Sequence, residues 1–146
     1  MTRTLTPLLA ALLLATMPIA HAAPPAEAAA PAAATDEAKV VYHINDASVA
    51  RAAMNNINNE LNASPTDKIV VVAHGKGIDF LLNDAKDDKG AYESQVAALK
   101  NRGVDFRVCN NTLGPDAVIM EAKVVPSGVA ELARLQAKEG YVYIKP

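Results

Sequence analysis

The chain has 146 residues, of which 51% are hydrophobic, and 14 Lys and Arg stand against 16 Asp and Glu for a formal net charge of −2. The basic residues are scattered, which excludes a nucleic-acid surface built on a basic patch and gives no reason for attraction to an anionic membrane. One cysteine excludes an internal disulfide, so the core alone must hold the fold.

Residues 1–22 read as a secretory signal peptide: Arg3 gives a positive start, residues 8–20 are an uncharged run that is apolar but for Thr16, and Ala20-His21-Ala22 is a small-x-small cleavage site. The apolar run is too short to span a bilayer, which needs roughly 20 residues. Export is therefore expected, to the periplasm in a bacterium, with no membrane attachment after cleavage. Residues 23–35 are an Ala/Pro-rich linker with nothing large to bury. Residues 36–146 are the right length for one domain with a real core.

Within that domain, apolar runs alternate with helical periods. "KVVYHI" at Lys39 predicts a strand, and Val49, Ala53, Ile57 and Leu61 recur at helical spacing after possible caps at Asn45, Asp46 or Ser48. "KIVVVAH" at Lys68 predicts a second strand. Both runs are apolar nearly throughout, as in strands covered on two faces. The stretch from Gly75 to Lys89 is longer than most connections, with a possible short helix in "DFLLN", and the "NDAKDDKG" that follows reads as a solvated charged loop. Tyr92, Val96 and Leu99 mark a helix ending near Gly103, and "DFRVC" a strand ending at Cys109. Thr112 is the best cap for a helix starting at Leu113. A weaker strand covers Lys123 to Val125; Ser127 caps a helix that buries Val129, Leu132 and Leu135 before Gly140, and "YVYIK" is the last strand. Alternating β and α units predict an α/β fold with a mainly parallel sheet of about five strands between two helical layers.

In such a sheet ligands bind beyond the carboxyl ends of the strands. Asn45, His74 and Cys109 all stand at such ends. Cys109 is the chain's most distinctive chemical group, and backbone N–H groups of a helix starting beside it would lower its pKa; inert burial is the competing reading. His74, followed by Gly75 and Gly77, could orient or protonate a bound group, although those glycines could equally serve a turn. His43, inside an apolar strand, reads as a satisfied core or interface histidine. Neither a P-loop nor a dinucleotide fingerprint is present, so no cofactor is expected, and no ligand spacing supports a metal site, including a soft one built from Cys109, His74, Met54 or Met120.

The blocks "VVVAHGKGIDFLL", "VDFRVCNNTL" and "VVPSGVAELARLQAKEGYVYIKP" together resemble the DsrE/DsrF-like family, and most closely its exported branch. The resemblance implies a three-layer α/β/α domain, assembly into homotrimers or homohexamers, and a cysteine that carries sulfur as a persulfide. Cys109 falls at the matching place, with the backbone amides and the Asn111 or Thr112 side chain placed to hold the resulting anion. It implies a sulfur carrier or sulfurtransferase whose partners are a sulfur donor and an acceptor thiol protein. The alternatives are a non-catalytic module binding a small anion or thiol compound through His74, Gly75, Asn111 and Thr112, and an oligomeric interaction protein.

Overall fold

The computed structural model of the protein describes residues 37–146, so the expected signal peptide (1–22) and linker (23–35) lie outside the described residues. In chain order the elements are β1 (Lys39–Asp46), α1 (Ala50–Ala63), β2 (Lys68–Lys76), the two-residue strands β3 (Lys86–Asp87) and β4 (Gly90–Ala91), α2 (Glu93–Asn101), β5 (Asp105–Cys109), the single turn α3 (Asn110–Leu113), β6 (Ala122–Val125), α4 (Gly128–Glu139) and β7 (Val142–Ile144). Five strands form one sheet in the order β6-β5-β2-β1-β7, and every pairing in it is parallel. The predicted three-layer α/β/α architecture is the observed one.

The central strands β1, β2 and β5 alternate between two covered faces. One face carries Val40, Tyr42, Ile44, Val71, Phe106 and Val108, and packs against α1 and α2 to form the main core. Helix α1 exists because Ala53, Met54, Ile57 and Leu61 fall on one stripe, and all four are buried. Burying a side chain such as Ile57 contributes about 1.5–3 kcal/mol. The opposite face carries Val41, Val70 and Val72 and meets α4 through Leu132 and Leu135. That second layer is thin. A single helix covers a face that α1 and α2 cover together on the other side.

Helix α4 is the crossover from one edge strand, β6, to the other, β7, so it must traverse the sheet. Three features fix its position. Leu132 and Leu135 supply the apolar seam, Arg107 on β5 pairs with Glu131 in the first half of the helix, and Arg107 is itself held by Asp105 at 2.8 Å. Ser127 caps the helix by accepting from the Ala130 N–H, as predicted. Val129 is a correction: it is 63% exposed, because it lies off the Leu132–Leu135 seam and has no second helix beside it.

The predicted charged loop of residues 83–90 is a small hairpin, β3–β4, and its Asp87 is clasped by Arg51 of α1 at 2.9–3.0 Å while that guanidinium lies over the Tyr92 ring. The short helix expected in "DFLLN" is a 3-10 turn at Asp79–Leu81 that buries Phe80 and Leu81 in the main core.

Candidate functional site

Alternation along β5 places Phe106 and Val108 in the main core and sends Cys109 to the face beneath α4. The register pairs Ala73 with Val108, so the next residues, His74 and Cys109, are neighbours at the carboxyl ends of β2 and β5. Helix α4 begins directly above them. A Cβ built on Gly128, its first residue, would lie 3.1 Å from the Cβ of Cys109 and 3.1 Å from the Cβ of His74. Only glycine lets the helix start approach the strand ends so closely.

The thiol responds to this setting. Burial pushes the Cys109 thiol up, but the Gly128 N–H, the Thr112 hydroxyl and N–H, and the Asn111 N–H together outweigh it, and the pKa ends below the ordinary thiol value. Cys109 is 5% exposed and is covered by the start of α4. An anion at this sulfur meets N–H groups from two chain segments, an arrangement that favours the thiolate.

Cys109 stands at the strand end where it was expected, but the helix beside it begins elsewhere. Thr112 is no N-cap: α3 starts at Asn110, with Cys109 itself at the cap position, and ends after one turn at Gly114. The helix stops at Gly114, which is followed by Pro115. Thr112 serves the site differently, because its hydroxyl accepts from the Gly75 N–H at 3.2 Å and so ties α3 to the end of β2. His74, Gly75, Asn111 and Thr112 are therefore gathered with Cys109 at one edge of the sheet. Asn45, at the end of β1, is exposed.

Three participants escaped the sequence reading. Gly128 is one; a glycine at the first position of a well-capped helix was the available signal. The others are His43 and Tyr143. His43 points to the same face, and its Nε2 lies 2.6 Å from Nε2 of His74 while its Nδ1 lies 2.6 Å from the Tyr143 hydroxyl. The two imidazoles stack with centroids 4.6 Å apart. Burial, then the nearby charges of His74 and Lys145, hold the His43 pKa below the ordinary histidine value. Of the methionines weighed as soft ligands, Met54 is buried in the main core on the far side of the sheet and Met120 is exposed.

A parallel sheet between helical layers, with a polarised thiol at its carboxyl edge, defines the class of protein. The sequence matches the model of the DsrE/DsrF-like family over residues 27–146, and the chain belongs to that family, which is associated with sulfur relay. It is also similar to a solved structure, the protein of unknown function MTH1491 from Methanobacterium thermoautotrophicum. That likeness has a TM-score of 0.65 and 32% sequence identity, covering 75% of this chain and all of the other. No curated protein matches the chain.

Proposed function

We propose that the protein is a sulfur carrier or sulfurtransferase in which Cys109 holds a sulfane sulfur as a persulfide. The observation that carries this reading is the start of α4 seated on Cys109, where a Cβ on Gly128 would lie 3.1 Å from the cysteine Cβ, with the Gly128, Thr112 and Asn111 donors holding the thiol pKa below its ordinary value in spite of burial. Loading is attack of the Cys109 thiolate on the outer sulfur of a donor such as thiosulfate or a polysulfide. A new S–S bond forms, the donor's S–S bond breaks, and the donor fragment leaves with the electron pair as sulfite or a shorter polysulfide. Donors that stabilise the thiolate also stabilise the persulfide anion that replaces it. Export to a periplasm and assembly as a homotrimer or homohexamer belong to the same reading. The assembly is supported by apolar side chains left open on both edge strands, Val124 on β6 and Val142 on β7.

The cover over Cys109 favours a second reading, a binding module for a small anion or thiol compound that turns nothing over. Intact mass separates the two. Native protein treated with thiosulfate or polysulfide should gain about 32 Da per sulfur, reversibly under reductant, and Cys109→Ser should gain none. Native protein that gains no mass, while remaining able to bind the donor, establishes the binding module instead.

A further inference from the structure

We propose that Tyr143, His43 and His74 form a proton wire that takes one proton from an acceptor thiol at the Cys109 site and releases it at the surface. The inference rests on the carrier reading above and names the residues that serve its second half-reaction. Its basis is an unbroken chain of three side chains from three adjacent strands, with both links at 2.6 Å. One end, His74, is the strand neighbour of Cys109 and flanks the same helix start. The other end, Tyr143, is 39% exposed on the edge strand β7.

The chain has two proton arrangements, and they differ by one proton passed along it. Two Nε2 atoms at hydrogen-bond distance require one N–H between them. If His74 donates through Nε2, His43 accepts there and donates through Nδ1 to the Tyr143 oxygen. Nδ1 of His74 then carries a lone pair and is a base. If His43 donates through Nε2 instead, it accepts at Nδ1 from the Tyr143 hydroxyl, and Nδ1 of His74 carries the proton. A proton arriving at His74 Nδ1 converts the first arrangement into the second and expels the original tyrosine proton to water.

Unloading supplies such a proton. An acceptor thiol R–SH attacks the outer sulfur of the persulfide in its protonated form, Cys109–S–SH, which the loaded anion reaches by taking a proton from water: the R–S···S bond forms, the Cys109 S–S bond breaks, and Cys109 leaves as a thiolate held by its N–H donors. The products are R–S–SH and Cys109 thiolate, and the R–SH proton goes to His74. The acceptor sulfur is oxidised by as much as the Cys109 sulfur is reduced, so no further oxidant or reductant is needed. The middle of the wire is disposed to be neutral. His43 is held below its ordinary pKa by burial, with His74 and Lys145 adding to the effect. Lys145, which follows β7, is the charged residue that acts on it besides His74, and on α4 the carboxylate of Glu131 is engaged by Arg107 and Arg134.

The test loads the full mature protein with thiosulfate or polysulfide, removes the donor, and follows loss of the added mass to 2-mercaptoethanol across pH 5.5–9.5, a window chosen around the ordinary histidine and thiol values. His74→Gln should slow unloading about 100-fold near neutral pH, the lower end for a general base. Tyr143→Phe and His43→Phe should slow it about tenfold, and in all three the deficit should close at high pH, where the acceptor is already a thiolate. Variants whose rate and pH profile match the parent overturn the wire while leaving the carrier reading intact; a parent protein that takes up no sulfur overturns the carrier reading. Nitrogen NMR of the unloaded protein reads the coupling apart from sulfur. Tyr143→Phe must shift the ring nitrogens of His74 through His43, and unchanged His74 resonances overturn the wire whatever the loading result.

Discussion

Gly128 stands against Cys109 so closely that a single methyl group at position 128 would meet the cysteine Cβ at 3.1 Å, and the His74 Cβ at the same distance. The start of α4 can therefore lie on the strand ends, and its first N–H can reach the thiol. Gly128→Ala should lift the helix start by a few tenths of an ångström. The expected result is a Cys109 pKa shifted upward toward the unperturbed value of about 8.5 and a stability loss of about 1–3 kcal/mol from overpacking. The pH dependence of thiol alkylation and a urea titration check the two parts. An unmoved thiol pKa would show that the Gly128 N–H does not set it.

Thr112→Val keeps the shape of the side chain and removes its hydroxyl. The Gly75 N–H then loses its acceptor, and Cys109 loses one of the donors that hold its pKa down. Stability should fall by about 1 kcal/mol, the usual net worth of such a hydrogen bond. The alkylation pKa should rise as well. Stability falling with no change in thiol pKa would assign Thr112 to the α3–β2 tie alone.

Much of this architecture was legible because its elements are locally self-consistent. The runs at Lys39 and Lys68 are apolar on both faces because both faces are covered, and the Ser127 cap and the Gly140 stop of α4 are local chemistry. What the sequence hid is relational. Which helix returns over Cys109 depends on the β6–α4–β7 crossover, and no local signal at Cys109 announces a donor from residue 128. The contact between His43 and His74 depends on the register of β1 with β2, where His43 pairs with Val72, two residues short of His74. Thr112 looked like a cap because Ser and Thr before an apolar residue often are. Val129 looked buried because helical spacing says which residues share a stripe, and how wide a stripe is covered is decided by the neighbours.

The Arg51–Asp87 clasp gives an acid-sensitive element remote from the thiol. The Arg51 hydrogen bond, opposed by some burial and aided by the Lys89 N–H, holds the Asp87 carboxyl at about 2. Its unfolded value is about 3.9. A depressed carboxylate contributes stability that is fully present above the unfolded pKa and is lost as pH falls through the folded one. The parent protein should therefore be more stable than Asp87→Asn at neutral pH, and the difference should shrink between about pH 4 and pH 2. Urea titrations at pH 7, 4 and 2 measure it. A difference that is constant with pH would mean that the carboxylate charge is not what the clasp uses.

The thinness of the layer above Cys109 decides how a covered thiol can react at all. Sulfur donors reach it either by local lifting of α4 or by global unfolding. The two routes predict different patterns for two comparably disruptive substitutions. Leu135, fully buried, anchors α4 to the sheet, whereas Leu61, 2% exposed, anchors α1 on the opposite face. Leu135→Ala and Leu61→Ala should each cost about 2–5 kcal/mol of global stability, the range for a buried leucine. If access is by lifting α4, Leu135→Ala destabilises the closed state relative to the lifted one, and at about 1.4 kcal/mol per factor of ten, a cost of about 3 kcal/mol speeds native-state alkylation of Cys109 by roughly 100-fold. Leu61→Ala leaves that local equilibrium nearly untouched and should label at the parent rate. If access needs global unfolding, both variants speed labelling by factors that track their stability losses. Alkylation rates measured with stabilities on the same three proteins separate these patterns. Equal acceleration in both variants would place Cys109 in the inert core and remove the local route on which sulfur loading depends.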